Sequence, residues 1–291
     1  QRVQLYLLYL ALLLVLRKVL VLYLLLLLSI IGIAGLFVPV GPLLSGFSST
    51  SVWLVFSAFL ISQAFVNTGL GKRIAYMLIG KFGRTTLGLG YVMGITDLII
   101  SPATPSNTAR SGGIVYPIFR SISVTLGSEP GETAKKLGSY LTILMYHISL
   151  TTAGMFLTAM SPNAIVATYS LDILNVELSW LYWAKGLFLP GLVVLICLPS
   201  ILYKIYPPEI KVIENYKEIS SEGLKEMGPM SIKEKLLVVF FVLAVVAWST
   251  GTITKINGTA VAIAFLAACL LTEILDWESV LKLKGAWTTL I

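Results

Sequence analysis

Residues 101–117 read SPATPSNTARSGGIVYP, a run of hydroxyls, a carboxamide, glycines and prolines inside a chain that is otherwise almost continuously apolar. Ser106, Asn107 and Thr108 offer hydrogen-bond donors without a fixed charge, a set suited to holding carboxylate oxygens reversibly. Pro102 and Pro105 each lack an amide hydrogen and disfavour helix in the residue before them, so the backbone must open there and a new helix begin after them. The unpaired amides and positive dipole end of that new helix attract an anion. Gly112 and Gly113, just beyond, are expected to allow close helix approach. Asp97 and Arg110 flank the tip at 102–108 and are the only acidic or basic residues between Thr85 and Phe119. Arg110 is a candidate for neutralising a dianion; it is equally placed to pair with Asp97 and hold two arms together.

The elements that must position these groups are membrane helices. Hydrophobic residues make up 57% of the 291 positions and charged residues 12%, and the mean hydropathy is +0.89. That balance indicates an all-α polytopic membrane protein. The net charge of +7 comes from Lys and Arg in short loops between apolar runs, the pattern of cytoplasmic anchoring charges, which argues against a nucleic-acid partner. Cys197 and Cys269 lie inside apolar runs without CxxC spacing, so neither a disulfide framework nor a metal site is indicated. At roughly 20 apolar residues per crossing, spans fall near 19–38, 52–70, 138–168, 181–203, 235–254 and 258–275. No small-residue cleavage site follows the N-terminal run, so 19–38 reads as a retained helix. Residues 3–16 fit either an incomplete span or an interfacial helix.

Basic clusters stand on both sides of residues 85–123: Lys72, Arg73, Lys81 and Arg84 before, Arg120, Lys135 and Lys136 after. Both ends therefore belong on the cytoplasmic face. A segment that leaves and re-enters one face is a re-entrant helical hairpin, and its tip falls at 102–108. Two full spans with an outside turn are the alternative, which the short second arm and Arg110 disfavour. The span 138–168 is longer than one straight crossing needs and is interrupted by Ser149, Thr151, Thr152 and Gly154, so a break is expected in it. Its Ser and Thr hydroxyls can equally bond back to their own helix. His147, the only histidine, has no acidic neighbour in that span and reads as a packing or hydrogen-bonding residue. The stretch 206–235 mixes Lys and Glu and reads as a solvated, partly helical cytoplasmic connector without a ligand.

Three segments carry a resemblance: TGLGKRIAYMLIGKFGRTTLGLGY, then TDLIISPATPSNTARSGGIVYPI, then GMFLTAMSPN. Over roughly residues 43 to 291 the chain resembles the divalent anion:sodium symporter family, on the side of its citrate/succinate and 2-oxoglutarate/malate exchangers. The resemblance implies two inverted repeats, each with a re-entrant hairpin and a broken helix, moving di- and tricarboxylates by an elevator-like displacement. It implies that Ser106, Asn107 and Thr108 bind substrate carboxylate, that Ser106 and Asn107 also border a sodium site, and that Thr151 and Thr152 complete the site; Arg110 joins them as a substrate candidate. No cofactor is implied beyond sodium. The implied setting is the plasma (inner) membrane, with lipid as surroundings and a homodimer in the full-length form.

The organisation expected on this basis is N-terminal scaffold-like helices at 1–51, a transport region at 52–205, the connector at 206–235, and the start of a second repeat at 236–291. WESVLKLKGAWTTLI at 277–291 echoes GFSSTSVWLVF at 46–56, which is the mark of that second repeat. The hairpin would then supply half of a two-part site, and the 291 residues alone are expected not to transport. In sodium-coupled members a Ser commonly stands four residues before the motif Ser; Pro102 stands there here, which favours exchange over symport. The N-terminus before Val52 is shorter and more Leu-rich than the family's early spans. A related anion permease is the alternative within transport. A membrane-embedded enzyme is disfavoured by a single His and the absence of HExxH and GxSxG.

Overall fold

The computed structural model describes residues 44–289 and, before them, positions 35, 37, 39 and 41 alone. The elements expected at 3–16 and 19–38 lie outside the described residues, but for those isolated positions. The chain divides into two units, residues 1–49 and 50–291. The described part of the first is a 3-10 turn, Ser45–Ser48, in which the Ser48 hydroxyl donates to the Ser45 carbonyl at 2.8 Å. In the second, the regular elements among the described residues are all helices, apart from one isolated bridge between Thr85 and Val212.

In that second unit α1 (Thr50–Thr68) carries no charge and buries Leu54, Ile61, Ala64 and Phe65. Gly69 ends it at φ +73, a left-handed turn that glycine enters without a Cβ clash, and leads into the amphipathic α2 (Leu70–Phe82). Next comes α3 (Thr86–Ile100), capped by the Thr85 hydroxyl accepting from the Gly88 amide at 3.0 Å and prolonged by a 3-10 turn at Ser101–Ala103. The chain resumes as a π-helical stretch, Thr108–Val115, which runs straight into α4 (Tyr116–Thr125). Then follow α5 (Gly138–Met155), a 3-10 turn at Leu157–Ala159, α6 (Ser161–Leu174) and α7 (Trp180–Ile205). The remainder comprises α8 (Tyr216–Met227), α9 (Ile232–Thr254), α10 (Gly258–Leu271), α11 (Trp277–Lys282) and α12 (Lys284–Trp287).

Among the described residues four stretches are long and apolar enough to cross a membrane: α1, α3 with its 3-10 extension to Ala103, α7 and α9. The spans expected at 52–70, 181–203 and 235–254 coincide with α1, α7 and α9. The crossing expected at 138–168 is two helices, α5 and α6, separated at 156–160. The one expected at 258–275 stops at Leu271, because Glu273 turns left-handed at φ +53 and its carbonyl accepts from the Lys233 ammonium.

The Lys- and Glu-rich segment after α7 is more than a tether. Its backbone ties the start of the 85–123 segment to the entrance of α5: the Glu209 and Ile210 amides donate to the Lys135 and Lys136 carbonyls at 3.2 and 3.0 Å, the Thr86 amide donates to Lys211 at 3.1 Å, and the Ile213 amide to Arg84 at 2.8 Å. The following α8 lies along α2, where the Ser220 hydroxyl donates to the Tyr76 carbonyl at 2.7 Å. Arg73 of α2 then forks onto Glu234 at the start of α9, at 2.7 and 3.2 Å, and reaches the Gly228 carbonyl at 3.0 Å. The approach of α8 to α2 depends on Gly223, since a Cβ there would stand 2.5 Å from the Tyr76 ring. Gly223→Ala is therefore expected to lower stability by about 1–3 kcal/mol, the usual cost of overpacking, as read from thermal unfolding in detergent. Ser221→Ala, on the exposed side of the same helix, should leave the transition within about 0.5 kcal/mol of the parent.

Candidate functional site

The two breaks, one before the π-helical stretch and one between α5 and α6, complete each other. Pro102 and Pro105 leave carbonyls that no helix claims. The Thr158 hydroxyl donates to Pro102 at 2.5 Å, and the Ser161 amide donates to Pro105 at 3.1 Å. On the other side, Asn163 Nδ2 donates to the Ala153 and Phe156 carbonyls at 2.8 and 3.0 Å, and the Trp183 indole donates to Gly154 at 2.8 Å. The Trp180 indole holds the Thr158 hydroxyl at 3.1 Å. Irregular backbone in an apolar setting persists only when protein groups take its hydrogen bonds; here the second break does this for the first, and Asn163 and Trp183 do it for the second. The break in the second helix lies one turn beyond the interruption expected at 149–154. The Ser149 and Thr151 hydroxyls donate back to the Tyr146 and His147 carbonyls, at 2.8 and 2.9 Å, and the helix continues past them. It opens only where Asn163 and Trp183 capture carbonyls and Pro162 starts α6.

Between the breaks sits a buried charge pair. Asp97 and Arg110 are both 0% exposed, with Nε donating to Asp97 Oδ1 at 3.1 Å. The Ser111 hydroxyl donates to the same oxygen at 3.3 Å and the Thr152 hydroxyl to Oδ2 at 2.5 Å. A guanidinium has five hydrogens, and each has an acceptor. Besides Asp97, Nη1 donates to the Thr104 and Ala159 carbonyls at 2.9 and 3.2 Å, and Nη2 to Thr152 Oγ1 and Asn107 Oδ1 at 3.1 and 3.2 Å. Arg110 thus holds the two arms and the second break in one cluster and keeps no donor for a ligand.

Its grip on Asn107 aims the tip. Only a carboxamide oxygen accepts from a guanidinium, so Nδ2 faces the other way with two N–H donors that meet no acceptor among the described residues. Ser106 Oγ accepts the Ala109 amide at 3.3 Å, which leaves the hydroxyl hydrogen to donate. Ser106 and Asn107 are half-buried and Thr108 is exposed. The tip therefore presents hydrogens, the complement of an anion. Thr152 stands behind Arg110, fully buried, whereas Thr151 is half-buried and engaged with the His147 carbonyl, outside the cluster. His147 Nδ1 itself lies 2.9 Å from the Ile143 carbonyl of its own helix. Gly112 and Gly113, expected at a close helix contact, are exposed with no atom within 4 Å of where a Cβ would stand. They share the outward face with Thr108. Among the described residues no group of His, Cys, Asp and Glu is placed to hold a metal.

Sequence reasoning missed Thr158, Ser161, Asn163 and the indoles of Trp180 and Trp183 as the groups that satisfy the two breaks. One signal was present: Ser-Pro recurs, at Ser101-Pro102 and Ser161-Pro162, one pair at each break.

Residues 5–291 match the sodium:sulfate symporter transmembrane region. The chain belongs to this symporter family. The family match takes in the Leu-rich N-terminus, which the resemblance over 43 to 291 had left aside. Within the family the chain is 51% identical over 249 residues to inner membrane protein YbhI of Escherichia coli, covering 86% of this chain and 52% of that one. It is 46% identical over 248 residues to putative malate transporter YflS of Bacillus subtilis, covering 85% and 52%. To the citrate/succinate antiporter of Escherichia coli it is 36% identical over 249 residues, covering 85% and 51%. The chain spans about half the length of these curated relatives.

Proposed function

We infer that these residues form part of a secondary carrier for di- and tricarboxylates in the plasma (inner) membrane, and that Ser106, Asn107 and Thr108 receive a substrate carboxylate. The observation that carries this is the aimed Asn107 carboxamide. Arg110 spends every hydrogen inside the protein and turns two N–H groups of Asn107 outward at a helix start, where the dipole adds positive potential. The malate and citrate/succinate names of the relatives point to the same substrate class. On this reading 85–123 is a re-entrant hairpin, within a transport region at 52–205. Residues 1–51 are scaffold-like, 206–235 a cytoplasmic connector and 236–291 the beginning of a second inverted repeat, and the whole carrier is a homodimer. Arg110 is a positioning residue, Thr152 its support, and Thr151 belongs to the lining beyond it. Exchange is the favoured mode, because Pro102 occupies the place of the Ser found in sodium-coupled members. Sodium, if transported, would sit against oxygens of Ser106 and Asn107, but Oδ1 of Asn107 is already held by Arg110.

The test is counterflow in liposomes by a carrier containing these residues. Labelled malate outside is expected to accumulate against unlabelled malate, succinate or citrate inside, without a sodium gradient. Accumulation that requires sodium would replace exchange by symport, and accumulation of sulfate but no carboxylate would replace the substrate class.

A further inference from the structure

A cavity of about 570 Å³ opens at the end of the helical unit opposite the connector, between the starts of α1, α7 and α10 and the ends of α6 and α9. The Trp180 and Trp248 rings, stacked 6.1 Å apart, and Tyr182 form its wall. Lys185, Lys255 and Glu177 form its charged rim, all exposed. Among the described residues neither lysine lies within ion-pair distance of a carboxylate. The floor is Leu157 and Thr158, the second break itself. From there an apolar seam between Leu54, Ala58, Met160 and Ala164 continues to Pro105 of the hairpin tip, too narrow to admit water.

Unpaired lysines on a polypeptide normally point to bulk water; here both border a concavity with low-dielectric aromatic walls, which concentrates their field. The same cavity ends one seam away from the donors of the tip. We propose that this cavity is the vestibule by which the anion approaches the hairpin tip, that Lys185 and Lys255 collect it there, and that the Leu54–Met160 seam is its closed gate. This rests on the carrier reading above, and it adds where the anion arrives and which charges gather it. Against the opposing charge of Glu177 the two lysines leave a net unit charge, which at about 10 Å from a dianion in water strengthens its encounter by roughly fourfold at low ionic strength, an effect that falls as salt rises above about 0.1 M.

The experiment does not require transport. In the whole chain reconstituted in liposomes, with Cys197→Ser and Cys269→Ser to remove the native thiols, Thr252→Cys places a thiol in the cavity wall. An anionic methanethiosulfonate is expected to label it about fourfold faster than a cationic one of similar size. High salt should shrink the ratio, and Lys185→Gln with Lys255→Gln should bring it below one, since Glu177 then stands alone on the rim, whereas Lys185→Arg with Lys255→Arg should keep it. Added malate should slow the anionic reagent in the parent and not in the double Gln variant. Equal labelling rates for the two reagents in the parent, or a preference untouched by the double Gln change, would overturn the vestibule. The carrier reading fails on different grounds, by absence of counterflow, so the two outcomes stay separable.

Discussion

Asp97→Ala is expected to destabilise the protein by about 3–5 kcal/mol, the cost of leaving one member of a buried ion pair alone. The guanidinium of Arg110 would remain at 0% exposure without a counter-charge, and the hydroxyls of Ser111 and Thr152 would lose their acceptor. Thermal unfolding in detergent should show the loss directly. Asp97→Leu combined with Arg110→Met removes both charges and should recover most of the stability, because the net contribution of such a pair against apolar groups of similar volume is close to zero. Ligand binding should not recover with it: without Arg110 nothing fixes the Asn107 carboxamide with its N–H groups outward. A double variant that binds malate as the parent does would remove Arg110 from any part in aiming the tip.

Asn107→Asp is expected to abolish anion binding with the fold intact. One carboxylate oxygen can still accept from Arg110, now with charge assistance, so the cluster keeps its hydrogen bond. The other replaces the NH₂ group, and two donors become a negative charge facing the ligand. Hydrogen bonds to a charged group contribute about 1.5–3 kcal/mol, and each 1.4 kcal/mol is about tenfold in affinity. With repulsion added, the loss should exceed about 100-fold. Malate-induced thermal stabilisation should therefore vanish in the Asp variant while its own unfolding temperature holds. Thr108→Ala, which removes one exposed hydroxyl, should keep a weakened response. A full malate shift in Asn107→Asp would move the anion elsewhere.

Prolines acted as local signals, and so the opening at 102–107 was legible from Pro102 and Pro105 alone. The apolar lengths of α1, α7 and α9 were legible for the same reason, since a span is a property of its own residues. The second break was displaced by one turn because its position depends on Asn163 and Trp183 reaching back from other segments, which composition at 149–154 does not encode. Arg110 stood as ligand or brace until its five hydrogens could be counted against five acceptors on four separate stretches of chain. The clasp of 209–213 on residues 84–86 and 135–136 left no trace in sequence, since it is made by backbone amides and carbonyls that every residue type supplies. Gly112 and Gly113 look identical in sequence to glycines at a helix crossing, and only the open space beside them distinguishes the case.

The dependence of the first break on the second sets an order on biosynthesis. Pro102 emerges with its carbonyl unclaimed, and the hydroxyl that will claim it lies 56 residues later, at Thr158. At roughly 5–20 residues per second the ribosome needs on the order of 3–11 s to supply it. The clasp at 209–213 comes later still. Throughout that interval the nascent 85–123 segment carries open peptide groups that hydrocarbon cannot solvate, so it must wait in the aqueous or proteinaceous shelter of the insertion machinery and enter lipid only in company with α5 and α6.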